Sequence, residues 1–287
     1  VRGETPIPES SFSSAGLFFQ NETRFMENRL TMILGGRFDG IRIKNDEGYD
    51  VDYIIMNGER NDNPPTQRIT FEKGTEYNLS WSANAGLLYK LSGSTDLSLN
   101  LARAFRAPSL EERFKYIDLG NFVRLGDPTL KPEKSYSADL GIRVWKSKFN
   151  LQAGVFINRL NNMIVEVPGE FIFRLTADSK ADTIPALINS NVRKALLYGV
   201  DFKFAYNFSH DFVFFGSGAY VRGMALETEA NLPLIPPLNG RAGLRYTWQR
   251  VGAAEFSVYG AARQDKIAEG EKETAGYYRL DFTLNTK

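Results

Sequence analysis

Several residue types that carry chemistry are absent or scarce in this chain of 287 residues. It contains no cysteine, which excludes disulfide frameworks and thiolate chemistry. Its single histidine, His210, has no second histidine or cysteine nearby, so we expect a solvated turn residue rather than a metal ligand. The 35 basic side chains nearly cancel the 34 acidic ones, and the net charge of +1 indicates no nucleic-acid partner.

Long hydrophobic runs are missing as well. No stretch approaches 18 consecutive apolar residues, so the sequence predicts no transmembrane helix. Residues 1–10 lack the basic and apolar regions of a secretory signal. The chain is therefore expected to be either cytosolic or an internal piece of something longer.

Catalytic motifs are not found either. There is no G-x-S-x-G elbow, and no glycine pair precedes a helical pattern of the kind that cradles phosphate. The adjacent carboxylates of Glu111 and Glu112 are explained by ion pairing, and Glu269, Glu271 and Glu273 by a solvated charge run rather than a cation site. The sequence predicts no enzyme, no cofactor and no metal site.

The chain is rich in aromatic residues, 13%, and in many segments its apolar residues recur at every second position. The clearest case is the stretch 131–164, where Tyr136, Ala138, Leu140, Ile142 and Val144 alternate with small or polar residues. After Lys146-Ser147-Lys148 the alternation resumes, which predicts one long antiparallel hairpin. Each arm has ten or more residues, and at about 3.3 Å per residue it exceeds 30 Å, the length that crosses a bilayer at a tilt.

The same alternation recurs along the whole chain and predicts about eleven long strands. Short turns and long connections alternate between them, the long ones covering about 44–73, 105–132, 166–190 and 264–275. In an antiparallel meander this places all short turns at one end of the sheet and all long loops at the other. We therefore predict an all-β, antiparallel, up-and-down transmembrane β-barrel portion, with short periplasmic turns and long extracellular loops. A soluble β-sandwich or lipocalin-like barrel is the alternative.

Charged side chains support the membrane interpretation because they occupy the parity opposite to the apolar rows. They are Asp139, Arg143, Asp201, Lys203, Arg241, Arg245 and Asp281. We expect this row to line a hydrated bore, whereas a soluble barrel seldom encloses so many charges.

Two boxes in the second long connection resemble a known family. The first is Phe105-Arg106-Ala107-Pro108, and the second runs Asp127-Pro128-Thr129-Leu130-Lys131-Pro132-Glu133. Together they resemble the paired boxes of TonB-dependent outer-membrane receptors. Further resemblance lies in the segments 154–164, 198–201, 234–237 and 275–278, in the order of the family's second-half barrel strands.

The resemblance implies that residues 1–287 are the later part of a receptor barrel, with the plug domain, the TonB box and the terminal strands outside this chain. It implies a Gram-negative outer membrane, membrane lipid and the TonB complex as partners, and uptake of a scarce nutrient. A passive porin, or a soluble β-sandwich or barrel binding protein, remains the alternative.

A ferric siderophore or another metal chelate is the expected ligand. Haem is disfavoured, because no histidine lies between the two boxes. Cationic and aromatic residues in or beside this interval suit an anionic chelate. The candidates are Arg106, Arg113, Phe114, Lys115, Tyr116, Phe122 and Arg124. The charged row named above is expected to hold the plug.

Overall fold

The computed structural model describes residues 2–65, 67–173, 182–248 and 251–286. Eleven long strands, β1 to β11, form one sheet in which each strand pairs antiparallel with its predecessor. They are β1 (Ser10–Phe25), β2 (Leu30–Asn45), β3 (Gly74–Ser92), β4 (Thr95–Arg106), β5 (Glu133–Trp145), β6 (Phe149–Phe173), β7 (Asp182–Asn207), β8 (Phe212–Ala225), β9 (Asn239–Trp248), β10 (Gly252–Ala261) and β11 (Tyr277–Thr286). The predicted antiparallel meander is confirmed.

One predicted loop is wrong over the residues that the structure describes; its middle, residues 174–181, lies outside them. The stretch 166–190 was expected to be irregular, but β6 and β7 stay paired from Glu166 opposite Asn189 up to Phe173 opposite Asp182. The apolar residues of this stretch do not alternate clearly, because this end of the hairpin packs against other loops. Side chains on both faces are then partly buried, and period two is lost. Within the predicted turn after β9, residues 249 and 250 lie outside the described residues.

The two faces of the sheet differ in chemistry. Residues opposite each other in antiparallel strands share a face, and Leu140, Val155 and Val200 lie on the same apolar face. Their exposed fractions are 54%, 50% and 42%, so these side chains do not pack in a core. This exposure contradicts a soluble sandwich, in which the apolar rows would face each other. The seven charged residues predicted for the bore share the other face, here called the polar face.

The main buried core lies at the long-loop end of the sheet. Its buried members are Ile41, Ile43, Phe71, Phe114, Tyr116 and Val123, contributed by the end of β2 and by two connections. We call the segments 46–65, 67–73, 107–132, 163–173 and 182–190 the loop cap. A second, smaller cluster of Ala195, Ala225 and Leu232 lies where the loop after β8 folds back.

Short elements build the loop cap. They are the strands Gly48–Tyr49, Tyr53–Met56, Glu59–Asn61, Ile69–Phe71, Tyr116–Asp118 and Val123–Leu125, and the helix α1 (Leu110–Phe114). The strand Arg2–Gly3, near the start of the chain, pairs with Tyr53–Met56. Val123–Leu125 adds to β7 in parallel, which joins the cap to the long hairpin. No helix in the described part of the chain is long and apolar enough to cross a membrane.

Candidate functional site

The first box ends β4 and starts α1. Ser109, which follows Pro108, caps the helix: its hydroxyl accepts a hydrogen bond from the Glu112 backbone N–H at 3.1 Å. The Glu112 carboxylate accepts in return from the Ser109 N–H at 2.8 Å. This reciprocal capping box satisfies donors that would otherwise be orphaned in so short a helix.

Arg106 joins the first box to the second. Its guanidinium donates two hydrogen bonds to Glu112, at 2.8 and 2.9 Å, and its Nε donates to Glu133 at 2.7 Å. Burial alone would raise the pKa of Glu112, but the hydrogen bonds from Arg106 and Ser109 outweigh it and hold this pKa below its usual value. The motif arginine is therefore neutralised within the chain.

Arg113 anchors the second box from inside the cap. Only 1% of its side chain is exposed, and it donates to the Glu76 carboxylate at 2.6 Å, to the Leu130 carbonyl oxygen at 2.7 Å and to the Pro128 carbonyl oxygen. Gly126 lies against the helix backbone, where an added Cβ would sit 2.5 Å from the Arg113 carbonyl carbon. The second box thus wraps around the end of α1.

A shared carboxylate connects the cap to β6. Glu166 accepts from the Lys115 ammonium at 3.1 Å and from the Arg124 guanidinium at 2.6 Å. Burial favours a raised pKa for Glu166, yet the hydrogen bonds from both cations prevail and the pKa is lowered. Glu111 gives Lys115 a second partner at 3.2 Å.

Two asparagines of β7 hold the backbone of the boxes. The buried Asn189 donates to the Glu112 carbonyl oxygen at 3.0 Å. Asn191 accepts from the Lys131 N–H at 2.8 Å and donates to the Lys131 carbonyl oxygen at 3.1 Å. Nothing in the sequence pointed to either residue: Asn189 lies in the expected loop 166–190 and Asn191 directly after it, and a single asparagine there carries no signal of its own.

The predicted ligand residues divide into two groups. Arg113, Phe114, Lys115 and Tyr116 are buried in the cap, and burial raises the pKa of Tyr116 to about 12. A ligand could reach these four only if the cap opened. Arg106 is exposed, and Phe122 and Arg124 are partly exposed.

The polar face contains the predicted wall residues. Asp139, Arg143 and Asp201 line one pocket together with Asp96, whose Oδ1 is buried without a hydrogen-bond partner among the described residues. Two more wall residues, Arg241 and Arg245, share the carboxylate of Glu255, at 2.9 and 2.6 Å.

The two remaining wall residues lie in the same rows. Lys203 is opposite Gln152 and Ser217, and Asp281 pairs with Arg279 at 3.0 Å. Sequence reasoning missed the partners Asp96, Glu255 and Arg279, although all three fall on the predicted polar parity.

The other singled-out residues have simple surroundings. His210 is exposed in the turn before β8, as expected. Glu271 accepts from the backbone N–H groups of Leu234 and Ala268, and Glu273 pairs with Arg263. Among the described residues, no group of three or more His, Asp or Glu side chains is placed to hold a metal ion.

Solved structures with this fold are known. The chain resembles the copper transporter OprC with a TM-score of 0.73 and 22% identity, covering 95% of this chain and 39% of that one. It resembles the siderophore receptor PirA from Acinetobacter baumannii with a TM-score of 0.61 and 16% identity, covering 97% and 49%. At such identities the likeness shows the fold alone.

Curated relatives are similar over shorter stretches. Transferrin-binding protein A of Neisseria meningitidis serogroup B is 39% identical over 92 residues, which is 32% of this chain and 10% of the relative. A second such protein of the same serogroup is 33% identical over 118 residues, 41% of this chain and 12% of the relative. The matched part thus spans about a tenth of those relatives.

The family model described as TonB dependent receptor-like, beta-barrel matches residues 2–287. Its match covers both boxes, the eleven strands and the loop cap. The chain belongs to the TonB-dependent receptor family, as part of the β-barrel.

Proposed function

We propose that this chain forms the wall and loops of an outer-membrane receptor that takes up a scarce nutrient with energy from the TonB complex. The ligand is a ferric siderophore or another metal chelate. One observation carries the proposal: a single sheet exposes an apolar face, gathers charge on the other face and has a packed loop cap at one end. Lipid suits the first face and a hydrated bore suits the second.

The polar face is the docking surface for the plug in this proposal. The neighbouring Asp139 and Asp201 carboxylates offer acceptors to donors on a plug domain. Arg241 and Arg245 keep donors besides those that bind Glu255. When the plug moves during transport, water can take the place of either partner in these hydrogen bonds. The contact can therefore break and form again.

In this proposal the ligand binds at the accessible edge of the cap. Phe122 and Arg124 combine a ring with a cation at a partly exposed position, and Arg106 lies in the adjoining box. An anionic chelate stacks on the ring, and it competes with Glu166 for Arg124 and with Glu112 and Glu133 for Arg106. Similar proteins include a copper transporter, a siderophore receptor and a transferrin-binding protein. These names agree with a ligand that carries a metal, and they do not identify the metal or its carrier.

Growth assays on the full-length protein test the transport proposal. A strain lacking its own receptors, carrying the full gene, is supplied with single ferric siderophores, copper chelates, cobalamin or iron-loaded transferrin, with and without TonB. We expect growth on one metal source that is lost without TonB. TonB-independent entry of small unrelated solutes would instead indicate a passive porin and contradict the proposal.

Paired substitutions test the plug contact. Arg241→Ala with Arg245→Ala, and separately Asp139→Ala with Asp201→Ala, are expected to loosen the plug without abolishing membrane insertion. Protease protection of the plug in the full-length receptor reports its retention. The matched control is Lys146→Ala with Lys148→Ala, which changes two exposed cations at the short-turn end. Unchanged plug protection in both polar-face pairs would refute this role.

A further inference from the structure

Five cations occupy the apolar face at its long-loop end, one on each of the neighbouring strands β4 to β8. They are Arg103, Lys134, Arg159, Lys194 and Arg222, here called the outer cation patch. The pairing register places them together: Arg103 and Arg159 are both opposite Tyr136, Lys134 and Lys194 are both opposite Asn161, and Arg222 is opposite Tyr198.

The patch is compact. Strands lie about 4.8 Å apart and same-face rows about 6.8 Å apart, so five cations in three successive rows fit within about 19 Å by 14 Å. On the apolar parity of these strands, from the short turns up to the patch, there is no aspartate or glutamate. Like charges so close repel one another unless an outside anion screens them.

The contrast with the polar face is sharp. Arg37, Arg241, Arg245 and Arg279 each form an ion pair there. None of the five patch cations forms one with a described residue. Within the patch, the Nη1 atom of Arg222 is buried without a hydrogen-bond partner in the described part of the chain.

The surroundings identify the class of anion. In the lowest row of the patch, which holds Arg222, the residues Leu101, Ala138, Ile157 and Tyr198 begin the exposed apolar surface, and aromatic rings mark the border. The guanidinium of Arg103 lies 3.7 Å from the ring centroid of Trp81 and 5.8 Å from that of Tyr136. A cationic row above an aromatic border and an apolar band matches the order of phosphate, interface and acyl chains in a lipid leaflet.

We infer that the outer cation patch binds the phosphate groups of an anionic lipid whose acyl chains lie on the apolar rows beneath it. The inference rests on the proposed membrane location and not on the transported nutrient. The cations hold the phosphates of the leaflet at the long-loop end, and Arg103 is held in place by the Trp81 and Tyr136 rings. Bound lipid supplies the countercharge that the chain itself does not.

Binding of bisphosphorylated lipid A to the full-length receptor tests this inference. Native mass spectrometry in detergent and titration with the lipid measure affinity, and the same lipid without phosphates and free inorganic phosphate are the comparison arms. We expect Arg103→Gln, Lys134→Gln, Arg159→Gln, Lys194→Gln and Arg222→Gln together to weaken binding about 3,000-fold, as removal of five juxtamembrane charges predicts. The pair Lys146→Gln and Lys148→Gln, at the opposite end, should leave it unchanged.

Further variants separate charge from folding. Arg103→Lys, Arg159→Lys and Arg222→Lys keep the charges and should keep most of the affinity. If the variant with all five substitutions does not fold, Arg159→Gln with Lys194→Gln, both at exposed positions, should still weaken lipid binding about 30-fold. Equal binding by these neutralised variants, equal binding of the dephosphorylated lipid, or complete displacement by inorganic phosphate would each overturn the inference. Nutrient uptake is read separately, so failure of one proposal does not imply failure of the other.

Discussion

The loop cap and the wall of the sheet are stabilised in different ways. In the cap, Arg113 and Tyr116 are buried, and a network of carboxylates and carbonyl oxygens satisfies the charge. In the wall, Leu79 is 89% exposed, and the apolar row stays exposed even where rings of neighbouring strands touch, as those of Phe204 and Phe214 do. The cap is therefore stabilised by its own contacts, whereas the wall needs a medium that accepts its apolar face.

The largest effect is expected from removing Arg113, the buried cation at the centre of the cap. Arg113→Met leaves the Pro128 and Leu130 carbonyl oxygens without their donor, whereas the half-exposed Glu76 can be hydrated, and we expect a loss of about 1–3 kcal/mol in local stability for each carbonyl oxygen. Hydrogen exchange of residues 110–130 in the full-length receptor measures it. Arg143→Met on the polar face is the control and should leave this exchange unchanged. Full protection in the Arg113 variant would mean that the cap does not depend on this network.

The wall is tested by adding charge to either face. Val155→Arg on the apolar face should cost about 2–4 kcal/mol of folding into lipid, since a cation at mid-bilayer depth is poorly solvated. Gln152→Arg, on the polar face of the same strand, is the matched control and should fold normally. Urea titration of the receptor in vesicles gives both values. Equal effects on the two faces would contradict the assignment of lipid and bore.

A smaller effect is expected from the cap's tightest backbone contact. Gly126→Ala places a methyl group against the Arg113 carbonyl group, and the overpacking should cost about 1–3 kcal/mol. Protease cleavage within 107–132 should rise in proportion. Gly93→Ala, where an added Cβ meets nothing within 4 Å, serves as the control and should not change it.

The mildest test uses pH. Glu112 and Glu166 have folded-state pKa values below the ordinary 4.5, so their pairing stabilises the cap above that value and is lost as the pH falls through the lowered pKa values. The hydrogen-exchange protection factors of the cap, which correct for the pH dependence of intrinsic exchange, should therefore be flat near neutral pH and should fall below about pH 4.5. The double variant Glu112→Gln with Glu166→Gln should lose most of this dependence. If the pH dependence is unchanged in that variant, it arises from other carboxylates and the prediction is wrong.

The predictability of the two regions from sequence differs for a physical reason. In the wall, each side chain faces one of two uniform environments, so period two reports the strands, their order and the polar row that includes Arg143 and Arg241. In the cap, burial comes from contacts between segments far apart in the chain, such as Phe71 with Phe114, whose ring centroids lie 5.8 Å apart. Local spacing carries no record of such contacts, so Phe114 and Tyr116 were expected at a surface site.

The sequence alone determined the antiparallel meander, the sorting of apolar and charged residues onto two faces, and the paired boxes that mark the family, because all three are written in local order and period. Only the tertiary structure decided that Arg106 joins the two boxes, that Arg113 and Lys115 are buried and paired, that β6 and β7 continue through 166–173 and 182–190, and that five cations of separate strands meet on the apolar face. Those facts depend on register between strands, and register sets which distant residues become neighbours.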